Sequence, residues 1–304
     1  MSEELNHGLA IRNIAIATDF ASWSDRAMQH ALVIARWYRA AFHVVHTVRR
    51  SEFSFVPDIM VQLDELAERD CEDLMGRLHA AHALDNIQYR IWNLHGEVST
   101  FDDFVRDQKI DLLVLGTRGR SGISKLVLGS VAEQIFRCVS CPVLTVGPSS
   151  RGAASQLALR SVLFATDLSS QSTAALPYVL AVAKAWRAAI DVLHVSSPDH
   201  SDNEPRMEAY RRRLDALTAS EPRLSIRYHM VAGEPSPAVL DFASQNNEDL
   251  IVLGLDNHRS LYGSPPLSHA YEIVRQARCP VLSVRSAPVC TVGQQSRNFR
   301  ILPP

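Results

Sequence analysis

The chain is an internal repeat, and this feature limits its possible folds more than any other. Ala17-Thr18-Asp19-Phe20 recurs as Ala165-Thr166-Asp167-Leu168, and Cys141-Pro142-Val143-Leu144 recurs as Cys279-Pro280-Val281-Leu282. Three further segments recur in the same order, namely His46, Gly96-Glu97 and Leu113–Gly116, with counterparts at His194, Gly233-Glu234 and Ile251–Gly254. Five ordered matches are hard to obtain by chance, so the sequence predicts two copies of one module.

Each copy alternates short apolar runs with amphipathic stretches. The runs at Leu112–Gly116 and Leu250–Gly254 are continuous, which is typical of central strands buried on both faces. Similar runs predict the first strands at Ile14–Ala17 and Val162–Ala165. Strand and helix alternate five times in each copy. This pattern predicts an α/β fold made of two tandem five-stranded parallel-sheet domains with helices on both faces.

The length of 304 residues agrees with two domains at a prior of ~150 residues each. We predict the first domain at residues 1–149, the second at 157–286 and a C-terminal tail at 287–304. The connecting segment Pro148–Gln156 is rich in Ser, Gly and Ala, as linkers are. The tail carries three prolines and no clear period, and it is either loose or a strap between the two halves.

Composition excludes several classes of protein. The formal net charge is −2, which gives no basic surface for nucleic acid or an anionic membrane. No run of ~18 apolar residues is present, and the polar, acidic start does not resemble a signal peptide. The odd count of 5 cysteines argues against a disulfide framework. The sequence therefore predicts a cytoplasmic protein that partners neither nucleic acid nor membrane.

A glycine-rich loop, Gly116–Ser130, follows the buried strand of the first copy and leads into its last helix. Glycines let backbone N–H groups approach phosphate oxygens, and a helix N-terminus at Ser130 favours an anion. Arg118, Arg120 and Lys125 add positive charge nearby. No Gly-Lys-Ser/Thr ends the loop, so it is not a Walker A motif, and the glycines of a dinucleotide fingerprint would lie between the first strand and the first helix. On these residues alone, anion binding and a plain turn with Ser130 as N-cap stay equally open.

The spacing Gly116-x2-Gly119-x9-Gly129-Ser130 resembles the nucleotide loop of the universal stress protein family, in its ATP-binding branch. The Ala-Thr-Asp opening, the histidine at the end of the second strand, the Gly-Glu pair and the Cys-Pro-Val-Leu ending resemble the same family. The resemblance covers nearly the whole chain. It implies Rossmann-like, adenine nucleotide alpha hydrolase-like domains packed as an intramolecular pseudo-dimer, with further homodimer formation left open.

The resemblance also implies a ligand, ATP, with a magnesium or manganese ion bridging its phosphates. It assigns one set of residues to adenine and ribose, namely Ala17, Thr18, Asp19, Thr47 through its backbone, Leu115 and Gly116. It assigns a second set to the phosphates, namely Arg118, Gly119, Gly129, Ser130 and Val131. An N-cap of the first helix is the alternative role for Asp19. No catalytic residue and no protein ligand for a metal is predicted.

The second copy lacks most of the phosphate chemistry. Gly129 is replaced by Leu267, which puts a bulky side chain where backbone would meet phosphate. Arg118 is replaced by Asp256, which turns attraction into repulsion. We therefore expect one competent nucleotide site, in the first copy, and a degenerate loop in the second.

The function implied is an ATP-binding regulatory protein of the stress response. A slow ATPase and a nucleotide-independent scaffold acting through protein contacts are the alternatives. The loop offers no general base, so catalysis beyond slow hydrolysis is disfavoured. The Cys138-Val139-Ser140-Cys141 pair closes a helix instead of opening one, and this placement favours a structural role over a redox role.

Overall fold

The computed structural model contains two compact units. The first unit comprises residues 11–148 and 288–304, and the second comprises residues 1–10 and 149–287. The described residues are 11–18, 25–49, 57–96, 98–117, 130–148, 150, 159–169, 172–196, 205, 207–209, 211–212, 215, 224–255, 269–285 and 299–302. None of the helices within these ranges combines the length and the apolarity needed to cross a membrane.

The first unit is a parallel sheet with one antiparallel edge strand, in the order β11-β3-β2-β1-β4-β5. Its strands are β1 Asn13–Ala17, β2 Ala41–Arg49, β3 Tyr89–Gly96, β4 Leu112–Gly116, β5 Val143–Val146 and β11 Phe299–Leu302. Its helices are α1 Asp25–Tyr38, α2 Pro57–Ala80, α3 Val98–Asp107 and α4 Ser130–Cys138.

The second unit has the strand order β10-β9-β6-β7-β8, with every described pair parallel. Its strands are β6 Ser161–Ala165, β7 Ala189–Ser196, β8 Ile226–Ala232, β9 Leu250–Leu255 and β10 Val281–Arg285. A 3₁₀ helix at Ser172–Ala175 precedes α5 Leu176–Trp186, α6 Pro235–Gln245 and α7 His269–Gln276. The predicted α/β class, with a five-stranded parallel sheet in each copy, is confirmed.

The central strands lie at the predicted positions. Their side chains are apolar on both faces of the sheet, and this pattern is what predicts them. Ile14, Ile16, Leu113 and Val114 are fully buried in the first unit. Helices cover both faces of a sheet of this kind, so such strands need no polar side. The counterpart β9 is buried in the same way from Leu250 to Leu253.

Two aspartates tie the strand starts together in the same way in both copies. Asp111, just before β4, accepts hydrogen bonds on Oδ2 from the backbone N–H groups of residues 12–13, at 2.7 and 2.9 Å. Asp249, just before β9, does the same for residues 160–161, at 2.7 and 3.2 Å. We call Asp111 and Asp249 the strand-start aspartates. They fix where the first strand of each unit begins beside its neighbour.

The first helix of the second copy departs from prediction. The residue pattern over Gln171–Arg187 predicts a single helix. The described part is instead a 3₁₀ turn at Ser172–Ala175 followed by α5. Pro177 lies in the first turn of α5, where its missing N–H costs nothing, and this favours a new helix start there. Arg187 then ends α5 in the left-handed region at φ 54°.

The tail contains a strand that the sequence did not predict. β11 pairs antiparallel with β3, from Phe299 opposite Leu94 to Leu302 opposite Ile91. The tail therefore returns to the first unit and covers the edge of β3.

Candidate functional site

The first unit has a topological switch point between β1 and β4. β1 pairs with β2 on one side and with β4 on the other, so Ala17 lies beside both Val45 and Leu115. Ligands of parallel α/β sheets bind outside the carboxyl ends of the strands at such a point. The structure thereby brings five of the predicted contact residues together at the carboxyl ends of these strands. They are Ala17, Thr18, Thr47, Leu115 and Gly116.

The backbone at this edge is held by hydrogen bonds between strand ends. The N–H of Thr18 donates to the carbonyl of Val45 at 2.9 Å, and the Nδ1 of His46 donates to the carbonyl of Thr18 at 2.9 Å. The N–H of Thr117 donates to the carbonyl of Val146 at 3.1 Å, which continues the pairing of β4 with β5 past Gly116. His46 thus positions the end of β1.

The remaining predicted residues are only partly within the described structure. α4 begins at Ser130, so Ser130 and Val131 lie in the first turn of that helix, as predicted. Asp19, Arg118, Gly119 and Gly129 lie outside the described residues. The described structure therefore contains the nucleoside side of the predicted site and the helix that the glycine loop leads into.

The second unit repeats the same backbone frame at its own switch point. The N–H of Thr166 donates to the carbonyl of Leu193 at 2.9 Å, and His194 Nδ1 donates to the carbonyl of Thr166 at 3.0 Å. The counterpart of Asp19, Asp167, accepts a hydrogen bond from the N–H of Ser169 at 2.9 Å. In this copy the aspartate therefore caps a local turn.

The surroundings of Asp167 favour its ionised form. Its partial burial opposes ionisation, but hydrogen bonds from Ser169 and Ser172 outweigh that effect and lower its pKa. Thr166 supports the same turn, because its Oγ1 lies 2.7 Å from the Oγ of Ser172 and accepts the N–H of Leu168 at 3.0 Å. The polar groups at this strand end are thus engaged with one another.

Gly254, the counterpart of Gly116, has a packing explanation of its own. A Cβ at Gly254 would lie 2.4 Å from the Cα of Ser172, at the start of the 3₁₀ helix. Only a glycine permits this approach of helix backbone to strand. The shared glycine is therefore not by itself evidence for a ligand in the second unit. The substituted loop residues Asp256, Asn257 and Leu267 lie outside the described residues.

Cys138 is the last residue of α4, and Cys141 follows three residues later. Cys141 is buried, and this burial together with the charge of Asp102 raises the pKa of its thiol. Such a thiol is a poor nucleophile. Within the described ranges, no group of three or more His, Cys, Asp or Glu side chains is arranged to hold a metal ion.

Sequence reasoning missed a polar cluster at the opposite, amino-terminal end of the second sheet. Asp191 on β7 is 1% exposed and accepts hydrogen bonds from Arg227 and His229 on β8. Glu248, two residues before β9, is buried close to it. A comparison of the copies position by position would have found the signal, because buried Ile110 stands in the first copy where Glu248 stands in the second.

These observations define a tandem α/β protein in which each unit has a parallel-sheet switch point. The model of the universal stress protein family matches the sequence twice, over residues 10–147 and 158–285. The chain therefore belongs to the universal stress protein family and carries two tandem domains of it.

Individual relatives agree with this assignment. A universal stress protein of Methanocaldococcus jannaschii is 28% identical over 138 residues, covering 44% of this chain and 81% of the relative. Universal stress protein A homolog 1 of Coxiella burnetii is 31% identical over 142 residues, covering 44% of this chain and 95% of the relative. The crystal structure of a universal stress protein from Archaeoglobus fulgidus has the same fold, with a TM-score of 0.71 at 20% identity. That match covers 90% of this chain and 99% of the other.

Proposed function

We propose that the first unit binds ATP at the carboxyl ends of β1, β2 and β4. We also propose that the chain acts as a nucleotide-responsive regulator of the stress response. The observation that carries the proposal is the position of Ala17, Leu115 and Gly116 side by side at the switch point. The glycine loop of the sequence runs from this point to the N-terminus of α4.

The residues at this edge suit a nucleotide. Ala17 and Gly116 are small, so a planar base and a sugar would meet little steric resistance at the strand ends. Thr47, at the end of β2, offers backbone donor and acceptor groups for a base edge. The N-terminus of α4 supplies unpaired N–H groups and the positive end of a helix dipole for phosphates. When bound, a divalent cation would neutralise phosphate charge.

The second unit is proposed not to share this activity. Its loop exchanges Arg118 for Asp256 and Gly129 for Leu267, and both changes act against phosphate. Asp167 and Ser172 at the edge of β6 already satisfy hydrogen bonds within their own turn. We therefore expect one nucleotide per chain.

Isothermal titration calorimetry of the full chain with Mg-ATP tests the proposal. The expected stoichiometry is one, and Gly129→Leu, which installs the residue of the second copy, should weaken binding at least tenfold because a side chain then blocks the backbone. Gly76→Leu is the matched control, since Gly76 lies on the exposed side of α2 with open space around its Cβ position. This variant should bind like the parent.

Each other outcome points to a different function. A stoichiometry of two would overturn the proposed degeneracy of the second loop. Hydrolysis of bound ATP that Gly129→Leu abolishes would favour the slow ATPase. If ATP does not bind at millimolar concentration, a nucleotide-independent scaffold that acts through protein contacts becomes the favoured function.

A further inference from the structure

The C-terminal strand β11 joins the first unit at a defined register. Phe299 lies opposite Leu94, and Leu302 lies opposite Ile91. Because the pair is antiparallel, β11 starts towards the carboxyl end of β3 and ends towards its amino end. The first residue of β11 therefore lies towards the end of the sheet where the nucleotide is proposed to bind.

β3 is buried where β11 pairs with it. The four residues of β3 in this pairing are between 0% and 5% exposed, namely Ile91, Trp92, Asn93 and Leu94. In the second unit β8 takes the place of β3, and the described structure contains no strand beyond it. Met230 is the counterpart of Asn93, since each pairs with the histidine of the preceding strand, and it is 40% exposed. β11 thus makes β3 an interior strand.

One row of paired residues leads from β11 to the proposed site. Phe299 lies opposite Leu94, and Leu94 pairs with Thr47 on β2. Thr47 is the residue whose backbone is proposed to contact the base. A single strand therefore separates the tail from one proposed contact of the nucleotide.

A second row reaches the end of β1. Arg300 lies opposite Asn93, and Asn93 pairs with His46. His46 donates a hydrogen bond through Nδ1 to the carbonyl of Thr18 at 2.9 Å. Because Thr18 is another proposed contact, the positions of both contacts depend on how firmly β2 and β3 are paired at these residues.

An edge strand opens locally at low cost, because one row of its backbone groups is bonded to water. Without β11, β3 would be such a strand over residues 91–94. Opening of β3 would remove the partner of Thr47 on that side of β2. A site that is competent for only part of the time binds its ligand more weakly by that fraction. Docked β11 should therefore raise the affinity for a nucleotide.

We propose that β11 is a positioning strand for the nucleotide site of the first unit. Docked on β3, it holds Thr47 and Thr18 in the arrangement that binds the nucleotide, and bound nucleotide in turn stabilises the docking of β11. The two effects are equal in size, because coupling between two binding equilibria is reciprocal. This inference rests on the proposed binding of ATP by the first unit.

Two prolines in β11 test the proposal. Neighbouring residues of a strand direct their N–H groups to opposite sides, so Arg300→Pro combined with Ile301→Pro removes a donor to β3 whichever of the two faces it. Isothermal titration calorimetry with Mg-ATP should show about a fivefold or greater loss of affinity. Arg300→Lys combined with Ile301→Val is the matched control, which keeps every N–H group and should bind like the parent.

A chain that ends at Asn298 checks this result, because it lacks β11 altogether. It should lose as much affinity for Mg-ATP as the double-proline variant does. Its circular dichroism spectrum should remain that of a folded α/β protein, which separates loss of the positioning strand from loss of the fold.

Hydrogen exchange of the unmodified chain gives a readout that a purely structural role would not change. Saturating Mg-ATP should slow the exchange of the amides at residues 91–94 and 299–302. The factor should equal the loss of affinity in the double-proline variant. Residues 226–232 of β8 are the internal control, and their exchange should not change.

Two results would overturn the inference and leave the proposed function standing. One is ATP binding that is unchanged in the chain ending at Asn298, and the other is exchange at residues 299–302 that ATP does not slow. Failure of the unmodified chain to bind ATP would instead overturn the proposed function, and this inference with it.

Discussion

The two units carry different chemistry at one equivalent position, the amino-terminal part of the second and third strands. His43 on β2 lies in register with Arg90 on β3, and Asp191 on β7 lies in register with Arg227 on β8. In the first unit His43 is neutral, because burial and the nearby charge of Arg90 lower its pKa to about 4. In the second unit the same position carries an anion.

The residues that surround His43 and Asp191 also differ between the two units. In the first unit the indole N–H of Trp92 donates to His43 Nδ1 at 3.0 Å, and the Trp92 ring packs edge-on to Phe104 at 5.2 Å. In the second unit His229 takes the place of Trp92, with its Nε2 2.6 Å from Asp191 and its ring 4.7 Å from Phe242.

One backbone frame thus supports either a neutral aromatic cluster or a hydrogen-bonded network around a buried carboxylate. The hydrogen bonds that define the frame come from the strand-start aspartates and from His46 and His194, and they are the same in both units. At these equivalent positions the difference lies in the side chains beneath α3 and α6. Divergence of function between the copies is therefore possible without a change of fold.

The largest loss of stability is expected when the indole of Trp92 is removed from the aromatic cluster. Trp92→Ala should reduce the free energy of unfolding by about 3–5 kcal/mol, because it leaves a cavity beside Phe104 and removes the donor to His43. Urea unfolding followed by circular dichroism measures the change. Trp37→Ala is the control, since Trp37 is 51% exposed and its loss should cost under about 1 kcal/mol. Equal losses would mean that the cluster does not stabilise the first unit.

A smaller effect, with a defined pH dependence, is expected for Glu248→Gln. The folded-state pKa of Glu248, about 7, lies above its unfolded value, so ionisation opposes folding. The wild-type second unit should lose stability as pH rises from about 4.5 to about 7 and then level off, by at most about 3 kcal/mol.

Glu248→Gln cannot ionise and should show less of this loss, so it should be the more stable protein at pH 8. Urea unfolding at pH 5 and pH 8 gives the comparison. A variant that is less stable than wild type at pH 8 would mean that the carboxylate has a stabilising partner. Glu234→Gln should leave the pH dependence unchanged, because Glu234 is exposed.

The smallest losses of stability are expected for the strand-start aspartates, which the two units share. Asp111→Ala and Asp249→Ala each remove an acceptor from two strand N–H groups, and each should cost about 1–2 kcal/mol. The two losses should agree closely when measured in the same urea experiment. A large difference would show that the frame is not equivalent in the two copies.

The strands could be predicted from sequence because their patterns are local. Leu112–Gly116 and Val143–Val146 begin and end where the apolar runs do. β11 could not, since Phe299–Leu302 is four residues long and its pairing partner β3 lies some 200 positions earlier. The 3₁₀ turn before α5 was missed because the helical period ran through it, although Pro177 marked the break.

The candidate sites were predictable to different degrees. The proposed nucleotide site follows from strand ends and a family resemblance, and two of its proposed members, Ala17 and Leu115, lie side by side in the described structure. The cluster around Asp191 and Glu248 joins residues from three separate segments, and in sequence Glu248 resembles an ordinary loop carboxylate. Only the folded sheet brings them together.

The pairing of β11 with β3 gives the chain an order of assembly. During synthesis, residues 11–148 emerge before residues 149–287, but the sheet that they form lacks its outermost strand until residues 299–302 have followed. Until then β3 presents an open row of backbone donors and acceptors to other chains in the cell. A chain truncated after residue 287 would lack β11. The edge of β3 that β11 covers would then stay unpaired.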